Sequence, residues 1–401
     1  MMRSVIRSNR HTSLGLRARR ALSSSALIST LALAACGSGE QSPGGSIRVT
    51  ASGEVLAFTG YPFPPTDADA PAFVDGWEVS FDALLVTLDK VTVSENPDKS
   101  PTDQSQTDGK VAEISGPWAL DLHKGGPLLG KGGGGEQAFP LSLISGQNLQ
   151  GDKAFDPTQR YAVGFDVVAA SAGASRLNFD AQNEADYKEM IQNGWTVLYV
   201  GKATWRGGTC TSTNPTYDWS KLPTQVKFRF GFKSPTTYKN CQNPDNAPAQ
   251  PFANEEFQRG LQVKANATAI AQMTMHTDHV FWESSEHDSP AHFDPFAAAA
   301  KKAANGDYVV TLDDLKGVNF TAFKDASGSP LPWRSCVSSY TPPNASMSMG
   351  FDSQGIPYNP SGNPSTSLRD FVDYLTYNQS TQGHLNADGL CFVARNYPSP
   401  K

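Results

Sequence analysis

Charge is scarce in this chain. Only 18% of its 401 residues are Asp, Glu, Lys or Arg, and the formal net charge is −6. Beyond residue 20 there is no run of basic residues, so nothing supplies a field that would hold nucleic acid or an anionic membrane surface. No CxxC pair is present for a Cys-ligated metal, no HExxH for a zincin and no GxSxG for a serine-hydrolase elbow. The glycine-rich GPLLGKGGGG (126–135) has a lysine but neither the spacing of a phosphate loop nor the Ser/Thr that follows its lysine, and it reads as a loop. NGDYVVTLDDLKG (305–317) lacks calcium-loop spacing and reads as a strand and turn. No internal repeat is evident, and no apolar run is long enough for a comfortable membrane span.

Glycine and proline are plentiful, with 35 and 28 copies. Together with the sparse charge they point to a loop-rich, strand-rich protein rather than a helical bundle. WEVSFDALLVTLDKVTVSE (77–95) alternates apolar and polar residues over much of its length, through Val79, Phe81, Leu84, Val86, Leu88, Val91 and Val93. Further strands are expected in 118–122, 161–171, 195–205, 225–232 and 260–276. Helices are expected in 183–194, in 293–306 and in 367–379. In the second of these, Asp294 would cap, Pro295 would suit the first turn and Gly306 would end the helix. The order predicts a mainly β protein. An antiparallel β-sandwich over 51–294 would carry a mixed α+β region, 295–401, packed on it.

The N-terminus has its own grammar. Residues 1–20 carry six arginines and no acid, residues 21–35 form a short apolar stretch, and small residues precede Cys36. That is the pattern of a secretory signal peptide over 1–35. Leu33-Ala34-Ala35-Cys36 resembles the bacterial lipobox. The resemblance implies acylation of the Cys36 thiol, cleavage just before it and a lipid anchor in the membrane. Gly37, where an inner-membrane signal would have Asp, implies the outer membrane. Arg19-Arg20 is compatible with a twin-arginine route. Residues 36–50 would then hold the lipidated cysteine and a flexible tether. The body, through DALLVTLDKVTV, WALDL and YAVGFDVVAAS, resembles uncharacterised bacterial lipoprotein β-sandwich families, which speaks to fold and not to activity.

Without Cys36 four cysteines remain: Cys210, Cys241, Cys336 and Cys391. An even number in an exported chain implies two disulfides. Of the three pairings, Cys210–Cys241 with Cys336–Cys391 is favoured because each closes a local loop.

One stretch carries candidate chemistry. MTMHTDHVFWESSEHDSPAHFD (273–294) holds four of the seven histidines among several carboxylates. Imidazoles are good ligands for Zn, Cu and Ni, and carboxylates can complete the shell. His276, His279, His287, His292 and Glu283 are the candidate ligands, with Asp278, Asp288 and Asp294 as further ligands or as residues that orient them. His276 and His279 share no strand face, so a turn near Asp278 is required. Met273, Met275 and the SMSMG segment (346–350) offer thioethers that would lean toward copper, although Met273 and Met275 also alternate as core residues would. Phe281 and Trp282 read as core anchors. TMHTDH (274–279) resembles the HxHxDH motif of the metallo-β-lactamase family, which implies a zinc hydrolase on an alternating α/β layout. Thr274, however, stands where the first histidine belongs.

The expectation is an exported, lipid-anchored envelope protein whose only partners in view are the membrane and one divalent transition metal, Zn or Cu, held without catalysis. A metal-free module for a glycan or an envelope protein, and a metal-dependent hydrolase, are the alternatives.

Overall fold

The computed structural model describes residues 44–67, 70–246, 251–344 and 346–401. The expected signal segment, Arg19-Arg20, the lipobox and Cys36 lie outside the described residues. The body is mainly β, as its pattern predicts, and is built from two large sheets that share one hydrophobic core.

The larger sheet runs Lys301–Lys302, Tyr308–Thr311, Gln225–Phe232, Val197–Trp205, Trp77–Ser94, Arg160–Val167, Thr236–Lys239 and Phe392–Arg395, with four short strands beside this path. Its spine is the 18-residue strand Trp77–Ser94. The ladder shifts register between Phe81 and Ala83, and again between Asp89 and Thr92. Each bulge flips the side-chain alternation. The core residues of this strand therefore change parity twice: Val79 and Phe81, then Leu84, Val86 and Leu88, then Val91 and Val93. Between the bulges the opposite face is covered too. Ala83 and Leu85 pack with Tyr187 and Met190 of the helix Ala181–Asn193, which explains the unbroken apolar run in this part of the strand. That helix begins at a capping box on Asp180 and ends at Gly194 in the left-handed conformation.

The smaller sheet runs Gly389–Leu390, Gly383–Leu385, Thr268–Met275, Ser46–Ser52, Gln137–Ile144 and Leu128–Leu129. Several of these strands were not expected. Ser46–Ser52 lies inside the sheet and is almost wholly buried, so the expected tether over 36–50 gives way to structure by residue 46. It pairs parallel to Thr268–Met275, as Tyr308–Thr311 does to Gln225–Phe232. The sandwich is thus antiparallel in most but not all of its ladders. Parallel neighbours need long crossovers, and sequence alternation is blind to strand direction.

The chain beyond residue 294 does more than pack on the sandwich. Gly383–Leu385 extends one sheet and Phe392–Arg395 the other, so no domain boundary falls at 294. The helix expected over 293–306 is only Asp294–Ala299. Pro295 sits in its first turn as expected, but Phe293 occupies the cap position, and Lys301–Lys302 leave to pair with Tyr308–Val309. The third helix is Phe371–Gln379, capped by Asp370.

The favoured cysteine pairing is overturned. The bonds are Cys210–Cys336 and Cys241–Cys391, spanning 126 and 150 residues. Sheet register decides both. Thr211 pairs with Ser335, which brings Cys210 beside Cys336, and Lys239 pairs with Phe392, which brings Cys241 beside Cys391. Closeness in sequence was the wrong guide because these ladders join distant segments.

Candidate metal centre

Four imidazoles meet at one end of the smaller sheet: His276, His279, His287 and His384. The strand Thr268–Met275 delivers the first. Beyond it the chain turns at Asp278 into the one-turn helix His279–Phe281, which folds His279 back toward His276, with ring centres 5.4 Å apart. This is the turn the spacing required. Trp282 closes the turn, with its ring stacked on His279 at 3.8 Å. His287 comes from the following loop and is the most exposed of the four.

His384 was not anticipated. It lies on Gly383–Leu385, where it is the register partner of Thr274. Residues two apart on a strand share a face, so His276 is its diagonal neighbour, and the two rings lie 3.9 Å apart. Thr274 thus stands where the metallo-β-lactamase motif would have a histidine, and an imidazole arrives at that point from across the ladder. The Thr274 hydroxyl instead accepts the Ala387 amide. The mainly β fold also departs from the α/β layout that the resemblance implies. No local signal in TQGHLNADG (381–389) marks His384, because its neighbours are brought to it by strand pairing alone.

Donor atoms of His279, His287 and His384 lie within 4.8 Å of one another, and so do those of His276, Asp278 and His279. The state of His279 follows from its neighbours. Its Nδ1 is 2.7 Å from the Thr381 hydroxyl, and that hydroxyl donates its only proton to the Asn378 carbonyl. The hydroxyl must therefore accept from Nδ1–H, which leaves the lone pair on Nε2. Nε2 is buried with no hydrogen-bond partner; the His384 ring is fully buried too, with the Thr381 backbone at one nitrogen and no partner at the other. Burial, reinforced by the neighbouring imidazoles, holds both rings well below the usual histidine range, hence neutral and able to ligate. Burial raises Asp278 above the usual carboxylate range, against the pull of His276.

Two expected ligands are elsewhere. His292 is fully buried and its Nε2 is 2.6 Å from Glu283, which also accepts the Tyr340 hydroxyl at 2.8 Å. The other face of His292 approaches Asp75, with Nδ1 3.8 Å from Oδ2. That carboxylate oxygen accepts the amides of Phe293 and Asp294, while its partner oxygen is buried without a partner. Asp75 is pushed up to about 7 by burial and then by the charge of Asp294. Asp294 itself accepts from Trp77 and pairs with Arg334. Glu283, His292 and Asp294 therefore build a buried polar network that locks the 283–294 loop, and none belongs to the imidazole group. Asp288 is exposed and lies against His287, its Oδ2 3.2 Å from Nδ1. Met273, Met275 and Met349 are core residues, and Met347 is exposed. Phe281 and Trp282 are buried, as expected.

A separate groove of about 920 Å³ runs along the larger sheet, lined by Trp77, Trp205, Trp219, Tyr308 and Arg334 among others. Arg334 stacks on both Trp205 and Trp219. Among the described residues no helix is long and apolar enough to cross a membrane. No family model matches the chain, and no curated protein or solved structure matches it.

Proposed function

We propose that the protein is an exported, lipid-anchored envelope protein that holds a transition metal, Zn or Cu, at His279, His287 and His384, with His276 and Asp278 beside them. One observation carries the metal reading: His279 and His384 present buried, neutral ring nitrogens with no hydrogen-bond partner to a common point. An unpaired buried polar atom costs about 1–3 kcal/mol, and a metal ion removes that cost at both rings at once. Three imidazoles leave a coordination position free, which suits handover or storage as well as chemistry.

The test is elemental mass spectrometry on the purified protein after dialysis without chelator. Zinc or copper is retained, and His287→Ala releases about one equivalent while leaving the fold intact, since His287 is exposed. Failure to retain either metal, or full retention in His287→Ala, overturns the assignment. The anchor is tested separately: Cys36→Ala moves the protein from the membrane fraction to the soluble one, and unchanged partitioning removes the lipid. A metal-free binding role draws on the tryptophan-lined groove instead. Glycan binding that Trp219→Ala abolishes in metal-free protein would select it.

A further inference from the structure

Next to the three imidazoles lies a second donor set of different chemistry. Glu54, His276 and Asp388 each offer one ligand atom, and these atoms lie within 4.8 Å of one another. The two sets meet where the rings of His276 and His384 touch at 3.9 Å. We propose that the centre holds two cations: one in the nitrogen set of His279, His287 and His384, the other in the mixed set of Glu54, His276 and Asp388. The inference builds on the imidazole site as the first of the pair.

Three features support the second position. His276 is buried, and its Nε2 lies 3.2 Å from both Glu54 Oε1 and the Ala387 carbonyl; the carbonyl can only accept, so Nε2–H donates there and would give up that proton to a cation as imidazole and carboxylate converge on it. Among the described residues no lysine or arginine forms an ion pair with Glu54, Asp278 or Asp388, so these three acids meet with His276 as the nearby base. The backbone that presents them is held in an unusual state. Glu54 has φ 63°, and Asn386 and Ala387, just before Asp388, have φ 52° and 74°. Left-handed conformations at non-glycine residues are costly and persist only where surrounding contacts impose them. Here they flank both carboxylates.

The donor sets predict different ions. Neutral imidazoles suit Cu and Zn, whereas two carboxylates and one imidazole suit Zn, Mn or Fe and bring negative charge to offset a dication. Each set also runs from a buried ligand to an exposed one, His384 to His287 in the first and His276 to Asp388 in the second, so both positions open to solvent. Cations in sites that share a wall sit about 3.5–4 Å apart in known two-metal centres and can clamp one oxygen ligand between them.

Zinc counting on the purified protein tests this. The unaltered protein takes up two equivalents. Glu54→Gln/Asp388→Asn takes up one, and His287→Ala takes up one. Uptake of a single equivalent by the unaltered protein, lost in His287→Ala and kept in the carboxylate variant, overturns the second position and leaves the first standing. A single equivalent with the reverse pattern overturns the imidazole reading and the pairing with it, and no uptake overturns both. Cobalt(II) gives a readout that needs no variant. The second equivalent attenuates the electron paramagnetic resonance signal of the first through spin coupling. A signal that grows in proportion through two equivalents, or saturates at one, refutes the paired centre.

Discussion

A threonine hydroxyl with one proton decides the state of His279. Because Thr381 gives that proton to Asn378, the imidazole must donate through Nδ1 and keep Nε2 bare. Elsewhere a single carboxylate oxygen does comparable work. Asp75 Oδ2 caps the amides of Phe293 and Asp294, but the group is buried beside Asp294 and is pushed up to about 7. A carboxyl held above its unfolded value keeps a proton in the folded state that the unfolded chain has already lost. Stability therefore falls as pH rises from about 4, where the unfolded group titrates, to about 7. Asp75→Asn keeps an oxygen for the two amides and cannot ionise. Between pH 5 and pH 8 the melting temperature of the unaltered, metal-free protein should fall by more than that of Asp75→Asn. Parallel slopes for the two proteins would place the folded-state proton elsewhere.

Among the elements, the short strand Gly383–Leu385 matters beyond its length. It lies second from the edge of the smaller sheet, supplies His384, and packs its first residue onto the larger sheet. A Cβ on Gly383 would meet the Tyr238 ring at 2.4 Å. That ring cannot retreat: it is fully buried, stacked on Phe165 at 4.7 Å and tied through its hydroxyl to the Ser380 carbonyl. Overpacking of this kind costs about 1–3 kcal/mol. Gly383→Ala should lower stability by that amount in urea and weaken zinc binding together with it, because His384 is the next residue. Gly208→Ala, which meets nothing within 4 Å, is the control and should leave both unchanged. A Gly383→Ala protein with unaltered zinc affinity would show that the strand does not position the centre.

At the scale of the molecule, the two disulfides do different jobs. Cys391 lies between Gly389–Leu390 in one sheet and Phe392–Arg395 in the other, so its bond to Cys241 pins the point where the chain crosses the sandwich. Cys210–Cys336 fastens the short ladder of Thr211–Ser212 and Arg334–Ser335. Loss of either should cost about 2–5 kcal/mol. Only Cys241→Ser/Cys391→Ser should also weaken metal binding, since only that bond holds the segment carrying His384. In Cys210→Ser the free thiol appears on Cys336. Equal loss of zinc affinity in both double variants would deny the second bond its special place.

Much of this protein is written locally and could be read locally. Alternation along Trp77–Ser94 named its core residues correctly even though two bulges change their parity, because each stretch between bulges keeps its own period of two. The helix expected over 183–194 runs over Ala181–Asn193, between the Asp180 capping box and Gly194. The HxxH pair at 276 and 279 was visible because one turn suffices to join it. What stayed hidden depends on register between distant strands. Glu54, His384 and Asp388 stand beside His276 because Thr268–Met275 and its partner strands bring together segments far apart in sequence. Glu283 and His292 leave the group because a buried acid network claims them. Local sequence determined which segments are strands and which residues can ligate or cross-link. Only the tertiary structure decided which of them meet, because pairing energy is collected across ladders whose partners the chain order does not reveal.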